Sequence, residues 1–360
     1  MRVLIVDTCY PAFLDAHYSS HPGLDELGYD EQWSSLMQTF FGTADSYSHF
    51  LGELGHGAQE LVVNAEPLQR AWAREHGRFR RRGLRALVRR GPEPELVLAQ
   101  AEEYGPDIVY VQNLSVFRPD VLRALRARAG LLVGQIASEL PPASQLEPFD
   151  LILTSFPHFV ERFRSLGVAA EYLRIGFDPR VLDHVESRSE HGAVFAGSLG
   201  RLQHDRGNAL LAAAAERIQI DFWGRGYDEW PLDSPVRRRY RGEAWGLDMY
   251  RVLGAARISL NRHIDIADGY ANNMRLYEST GIGTLLLTDA KRNLGELFEV
   301  GKEVVSYEGP DDLVQKIEYY LAHEDERREI AAAGQARTLD EHTYAHRMRE
   351  LVGILSRHLD

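Results

Sequence analysis

The sequence lacks the features that define several large classes of protein. Its single cysteine, Cys9, excludes an intrachain disulfide and a cysteine-rich zinc site. No apolar run reaches the roughly 18 residues that a membrane-spanning helix needs. The opening residues, MRVLIVD, lack the apolar core of a signal peptide. The sequence therefore predicts a cytoplasmic protein without a transmembrane segment.

The sequence also indicates neither a metal site nor a nucleic-acid surface. His342 and His346 have the i, i+4 spacing of zinc ligands, but no third ligand accompanies them. The formal net charge of −12 at pH 7 argues against general nucleic-acid binding. We therefore predict that the protein carries no metal.

What the chain does contain is a repeated alternation of strand and helix over 360 residues, enough for two domains of ordinary size. Such alternation predicts an α/β protein, with parallel sheets covered by helices on both faces. Within the first domain, a long helix is predicted from Asp30 to Leu54. A polar, charged segment at 176–192 predicts the linker. We assign 1–176 to the first domain, 190–342 to the second, and 343–360 to a terminal helix that crosses back to the first.

A polar and aromatic stretch from Thr8 to Tyr29 follows the first strand and is predicted to be an unusually long loop. Long loops inside compact domains are usually functional, and open α/β sheets bind ligands at the carboxyl ends of their strands. Asp15 and His17 in this stretch, and Glu139 at the end of a later strand, are therefore candidates for a catalytic base.

The most informative stretch, Arg257 to Ala290, predicts a strand, a loop, a helix and a second strand. Either Asn272 or Asn273 can cap the helix. Gly281 is expected to end it.

The start of this helix predicts an anion site. Uncapped backbone N–H groups and the positive end of the helix dipole attract a phosphate. Arg275 adds a fixed positive charge, and Glu278, on the same face, can accept hydrogen bonds from sugar hydroxyls. With Asn272 and Asn273, they form a candidate cradle for a nucleotide diphosphate that needs no metal. The alternative is an ordinary capped helix whose Arg275 and Glu278 form a surface pair, worth roughly 0.2–0.5 kcal/mol.

The run NMRLYE from Asn273 to Glu278, then Gly281 and the strand that ends at Thr288 and Asp289, resembles the CgeB-like glycosyltransferases of the family-1-type group. The similarity extends over about residues 190–355. It implies a GT-B fold, in which two Rossmann-like, doubly wound parallel-sheet domains face a cleft. It also implies that the Glu278 side chain meets the nucleotide ribose.

The same resemblance implies donor-binding roles elsewhere in the second domain. The turn at Gly197 and Ser198 precedes a basic residue that meets the donor diphosphate, for which Arg201 and Arg206 are both candidates. The turn at Gly224 is expected to lie near the nucleotide base.

The wider family often has two glutamates separated by seven residues, and the sequence departs from this pattern. The first would fall at Tyr270, which is not acidic, whereas Glu278 matches the second. The match favours a retaining mechanism, in which charge stabilisation of the leaving diphosphate is the main catalytic effect. His263, in the loop before the helix, is a further candidate to face the donor.

The predicted function is that of a metal-independent glycosyltransferase of the hexosyltransferase type. It would move a sugar from a nucleotide-diphosphate sugar to an unidentified acceptor, whether small molecule, glycan or protein, without any other cofactor. One alternative is a nucleotide-sugar epimerase on the same fold, which needs no acceptor. The other is a nucleotide-binding protein without catalysis. The polar and aromatic stretch after the first strand favours an acceptor, and hence transfer.

Overall fold

The computed structural model describes residues 1–78, 93–186, 190–200 and 204–359. The chain forms two compact units: unit 1 is Met1–Leu173 with Met348–Asp360, and unit 2 is Arg174–Arg347. The first unit is therefore discontinuous in sequence, and the second is inserted between its two parts.

The sheet of unit 1 is built from β1 (Arg2–Asp7), β2 (Gly57–Val62), β3 (Ile108–Val111), β4 (Leu131–Gln135), β5 (Leu151–Thr154) and β6 (Ala170–Tyr172). In the described part of this unit, the six strands are all parallel and lie in the order β2-β1-β3-β4-β5-β6. Strands β3 and β5 are buried along their whole length, as expected of parallel strands covered on both faces. The chain reverses its direction of travel across the sheet between β1 and β3.

The sheet of unit 2 is built from β7 (His191–Ala196), β8 (Ile220–Trp223), β9 (Tyr240–Gly242), β10 (Ala256–Asn261), β11 (Leu285–Asp289) and β12 (Val305–Tyr307). Over the residues described here, these strands are also parallel, in the order β12-β11-β10-β7-β8-β9. The reversal point therefore lies between β7 and β10. In open α/β sheets, ligands bind outside the carboxyl ends of the strands at such a point.

The helices of unit 1 are α1 (Pro11–Ser20), α2 (Tyr29–Met37), α3 (Ser46–Glu53), α4 (Glu66–Glu75), α5 (Pro94–Tyr104), α6 (Pro119–Arg126), α7 (Ala143–Leu146) and α8 (Pro157–Ser165). Those of unit 2 are α9 (Asp205–Ala215), α10 (Pro235–Arg238), α11 (Leu247–Gly254), α12 (Met274–Gly281), α13 (Leu294–Leu297), α14 (Pro310–Ala322) and α15 (Glu324–Glu341). The last helix, α16 (Tyr344–Leu359), begins in unit 2 and continues into unit 1. None of the helices described has the length and apolar character needed to cross a membrane.

The prediction of one long loop from Thr8 to Tyr29 is wrong, because its first half is helix α1. Pro11 occupies the first turn, where a proline costs no hydrogen bond. Phe13, Leu14 and His17 then form a buried face at helical spacing.

The single long helix predicted from Asp30 to Leu54 is also wrong, because α2 and α3 are separate helices. Between them Phe40, Gly42 and Ala44 adopt left-handed backbone conformations, with φ of +52°, +64° and +41°. Only one of the three is a glycine, so the break has little signature in the sequence.

The described part of the predicted linker, 176–192, lies within unit 2. Phe177 forms an isolated parallel bridge with Thr343. Pro179–Asp183 forms a short 3-10 helix. The prediction for Arg257 to Ala290 is confirmed, because β10, α12 and β11 follow one another there.

Candidate active site

Arg262 lies at the reversal point of the second sheet, directly after β10. Its side chain is buried, with the residue only 6% exposed. Nε donates to Asn208 Oδ1 at 2.9 Å, and a terminal nitrogen donates to the carbonyl of Ser198 at 2.5 Å. The other terminal nitrogen lies 2.7 Å from His204 Nδ1. These contacts fix the guanidinium between the end of β10 and the first turn of α9.

The partners of Arg262 are all electrically neutral. Burial lowers the pKa of Arg262 to about 10, so the guanidinium remains charged at pH 7. Burial, and then the charge of Arg262, lower the pKa of His204 to about 4, so His204 is neutral and can accept through Nδ1. Among the described residues, no carboxylate forms an ion pair with this arginine. Asp289 and Asp265 attract the guanidinium electrostatically without forming an ion pair with it, so Arg262 is a buried cation that can bind an anionic ligand.

Gly207, in the first turn of α9, makes room for the Arg262 stem. A Cβ at this position would lie 2.4 Å from Arg262 Cδ, closer than real Cβ atoms approach. The stem can therefore run against the helix only because residue 207 has no side chain.

The turns after β7 and β8 approach each other closely, which accounts for the glycine at position 224. Gly224 has φ +133°, and a Cβ there would lie 1.8 Å from the carbonyl oxygen of Gly197. The two predicted turn residues are therefore brought together by backbone packing. This packing also sets the position of the Ser198 carbonyl that Arg262 contacts.

The start of α12 lies beside the same arginine. Asn273 is the N-cap, with its Oδ1 accepting from the N–H of Leu276 at 3.3 Å, which settles the choice between the two predicted caps. Its Nδ2 donates to Asn261 Oδ1 at 2.9 Å and to the Arg262 carbonyl at 3.2 Å. The neighbouring Asn272 is buried and accepts from Tyr277 at 3.0 Å. The Asn273 side chain thus ties α12 to the end of β10.

Arg275 and Glu278 form an ion pair at 2.9 Å, but the pair is buried and not on the surface. Their side chains are only 14% and 7% exposed. Burial raises the pKa of Glu278, while Arg275 and a hydrogen bond from Tyr250 oppose the shift. Because Glu278 already neutralises Arg275, the positive charge without an ion-pair partner near the start of α12 is that of Arg262. The sequence alone did not identify Arg262 as a site residue.

Arg201 and Arg206 are the two basic residues predicted to meet the donor diphosphate. Arg206 is exposed in the first turn of α9, whereas Arg201 lies outside the described residues.

His263, the remaining candidate of this unit, is buried, and its Nδ1 lies 2.6 Å from Asp289 Oδ1. Lys291 contacts the same carboxylate at 2.9 Å. Burial alone would raise the pKa of Asp289, but the contacts with His263 and Lys291 lower this pKa to about 2.

In unit 1, the structure does not bring the three candidate bases together. Asp15 and His17 both lie on α1, but Asp15 is exposed and His17 is buried, since residues two apart face different sides of a helix. His17 Nε2 lies 3.1 Å from Ser35 Oγ, and burial, followed by the nearby His21, lowers the pKa of His17 to about 4. Glu139 is exposed after β4. In the described residues, no cluster of three or more potential metal ligands is present.

Part of the chain is similar in sequence to a known protein family. Residues 204–353 match the family model described as "Glycosyl transferase-like". No curated protein sequence matches the chain significantly. The match covers most of unit 2, which contains Arg262 and α12.

Solved glycosyltransferase structures resemble the chain over its whole length. A glycosyltransferase from Rickettsia africae is 11% identical, with a TM-score of 0.61, and the alignment covers 100% of this chain and 98% of that one. Anabaena HepE, solved with UDP-glucose, is 14% identical, with a TM-score of 0.62 and coverages of 99% and 100%. AviGT4, a glycosyltransferase involved in avilamycin A biosynthesis, is 17% identical, with a TM-score of 0.57 and coverages of 100% and 98%.

At these identities, the structural likeness establishes the fold alone. It confirms the predicted GT-B class, an α/β fold with two Rossmann-like parallel sheets. Together with the family match, it supports a glycosyltransferase. The narrower resemblance to CgeB-like enzymes stays a prediction.

Proposed function

We propose that this protein transfers a sugar from a nucleotide-diphosphate sugar to an acceptor. Unit 2 is the donor side and unit 1 the acceptor side. The observation that carries the proposal is the buried Arg262, a cation with neutral partners at the reversal point of the second sheet. Burying a charge without a counter-ion is costly, so such a site favours an anionic ligand.

The chemistry of Arg262 suits a diphosphate. A guanidinium has five N–H donors in a fixed plane, and three contacts to Asn208, Ser198 and His204 leave donors on both terminal nitrogens. The first turn of α9, whose N-cap forms no side-chain cap bond, adds the positive end of a helix dipole. Anabaena HepE, a neighbour of the same fold, has been solved with UDP and with UDP-glucose, which supports a nucleotide sugar as the ligand class.

We further propose that transfer needs no divalent metal and retains the configuration of the sugar. Arg262 would stabilise the charge that grows on the leaving diphosphate, the role that a metal takes in other enzymes. Retention is supported by Glu278, which matches the second of the two glutamates often found in the wider family. Transfer that survives EDTA, with a product whose anomeric configuration matches the donor by NMR, is the expected result. An inverted product or a loss of activity restored only by magnesium would overturn these points.

The donor assignment is tested by a thermal-shift screen with UDP, GDP, dTDP and their sugars, followed by calorimetry on Arg262→Gln. Charge-assisted hydrogen bonds contribute roughly 1.5–3 kcal/mol, so the variant should bind the selected nucleotide about ten- to a hundredfold more weakly. The control is Arg328→Gln, because Arg328 is an exposed arginine of the same unit paired with Glu324. Equal affinities in both variants would contradict the proposal.

The same screen separates the two alternative functions. An epimerase would convert the selected nucleotide sugar to its epimer without an acceptor. A protein that only binds would shift in melting temperature but turn over no nucleotide sugar, either by hydrolysis or by transfer.

A further inference from the structure

Asp7 ends β1 at the reversal point of the first sheet, where β1 and β3 lie side by side. Its Oδ1 accepts from the N–H of Thr8 at 2.7 Å. Its Oδ2 has no hydrogen-bond partner among the described residues, and the carboxylate is only half-buried. Asp7 therefore offers one oriented oxygen at the edge where α/β sheets bind ligands.

Amide side chains from the two neighbouring strands hold the backbone after Asp7. Asn64, beyond β2, accepts from the N–H of Cys9 at 3.0 Å and donates to its carbonyl at 2.7 Å. Asn113, beyond β3, donates to Thr8 Oγ1 at 3.0 Å. These contacts, one set from beyond each neighbouring strand, fix the segment that directly follows Asp7.

An exposed aromatic ring, Tyr10, follows Asp7 by three residues in the sequence. Tyr10 is 62% exposed, the most exposed aromatic ring among the large apolar side chains described. It packs edge-on against Phe41 with ring centroids 5.8 Å apart, and Phe41 stacks on Phe13 at 4.1 Å. The Tyr10 ring therefore rests on two packed phenylalanine rings while much of the ring itself faces solvent.

The loop that supplies Phe41 holds a strained backbone. Phe40 and Ala44, at φ +52° and +41°, are in the left-handed region, which costs a non-glycine residue roughly 1–2 kcal/mol. Thr43 anchors the loop to the end of β3 by donating to Gln112 Oε1 at 3.2 Å. Strain of this kind persists where the surrounding structure imposes it, and it clusters at functional sites.

We propose that Asp7 and Tyr10 form the acceptor subsite, and that the acceptor is a carbohydrate. A sugar ring has apolar C–H faces and a rim of hydroxyls, which are complementary to an exposed aromatic ring and to a carboxylate oxygen that both follow the end of the same strand. Asp7 Oδ2 accepts a hydrogen bond from one acceptor hydroxyl, and the Tyr10 ring packs on the sugar. This inference rests on the proposed function and names the class of its acceptor.

Because Asp7 binds the acceptor, the acceptor KM should depend on pH. Burial raises the pKa of Asp7 to about 6, with the Thr8 N–H opposing. Among the described residues, Cys9 is a titratable side chain in electrostatic contact with Asp7. Burial and the charge of Asp7 both raise the pKa of Cys9, so its thiol stays neutral. Below about pH 6 the protonated carboxyl accepts less strongly, so the acceptor KM should rise there while the donor KM does not.

The test uses the nucleotide sugar chosen by the thermal-shift screen, with a panel of p-nitrophenyl glucoside, galactoside, xyloside and N-acetylglucosaminide as acceptor probes. Asp7→Asn should raise the acceptor KM about ten- to a hundredfold, and Tyr10→Ala about two- to tenfold. Donor affinity and hydrolysis of the nucleotide sugar should stay within about twofold. Controls are Asp120→Asn, an exposed ion-paired carboxylate, and Tyr319→Ala, an exposed ring of unit 2.

Each outcome decides the proposal. A wild-type acceptor KM that rises below pH 6 and is flat in Asp7→Asn supports it, and the wild-type profile remains informative even if that variant fails to fold. Transfer to none of the glycosides by a protein that binds and hydrolyses the donor overturns the carbohydrate assignment. Unchanged acceptor KM in both variants overturns the residues. Failure of every nucleotide sugar to bind is a different result, and it rejects the proposed function itself.

Discussion

Replacing Gly207 by alanine tests whether the Arg262 side chain depends on the space above α9. The new Cβ would lie 2.4 Å from Cδ, 3.1 Å from Cγ and 3.3 Å from Cβ of Arg262. Because the close contacts include the base of the side chain, rotation of its far end does not relieve them. The guanidinium must leave its three partners.

The expected change in stability follows from two opposing effects. Alanine is favoured over glycine inside a helix by about 1 kcal/mol. Loss of the three hydrogen bonds of Arg262 costs roughly 0.5–1.5 kcal/mol each. The second effect is larger, so Gly207→Ala should lower the free energy of unfolding by roughly 0.5–3.5 kcal/mol.

The matched control is Gly353→Ala, because Gly353 is an exposed glycine within α16 with nothing within 4 Å of an added Cβ. It should gain about 1 kcal/mol from helix propensity alone. Urea unfolding of both variants, with calorimetry for the selected nucleotide, measures the difference. Nucleotide binding should weaken in Gly207→Ala alone. An equal gain in stability for the two variants would refute the packing argument.

Two further predictions concern buried carboxylates. Burial raises the pKa of Glu60 from 4.5 to about 7, against hydrogen bonds from Ser48. The folded state therefore holds this proton more tightly, so its stabilisation is complete below pH 4.5 and is lost as the pH rises to about 7. Glu60→Gln should consequently gain about 3 kcal/mol relative to wild type over that range in urea unfolding, whereas a constant difference would mean that Glu60 does not titrate there. For the buried ion pair, Glu278→Gln should cost about 3–5 kcal/mol, and adding Arg275→Met should recover part of the loss; strictly additive losses would show that the two side chains are uncoupled.

Local patterns allowed the central segment of unit 2 to be predicted from the sequence. The apolar run of β10, the asparagine cap of α12 and the apolar run of β11 are each signalled by residues close in the chain. The ion pair between Arg275 and Glu278 follows from their i, i+3 spacing on one helix. Its burial does not, because that depends on Tyr250 from another helix.

Arg262 shows why the centre of the site was missed. In the sequence, it is one arginine at the end of a strand, with no neighbour that marks it as buried. Its partners lie 54 to 64 positions away, in His204, Asn208 and Ser198, and Gly207 provides the space. Such a site is assembled by sheet topology, so a search for basic residues near the glycine turn selects Arg201 and Arg206 instead.

Asp7 was overlooked for a similar reason, because a carboxylate at the end of a first strand is common. Only the arrangement of its two oxygens, and the neighbouring Tyr10 ring on Phe41, distinguish it. The left-handed residues that position Phe41 are Phe40 and Ala44, residue types that give no hint of such a conformation.

The helix α16 has a consequence for how the protein is made. Unit 1 includes Met348–Asp360, and Glu171 near the end of its first segment contacts Arg357 and His358 of that helix. During synthesis, domains generally fold as units, beginning at the N-terminus. Here the 174 residues of unit 2, from Arg174 to Arg347, are synthesised before the last helix of unit 1 is made. Unit 2 is contiguous, so its chain is fully synthesised before that of unit 1 is complete.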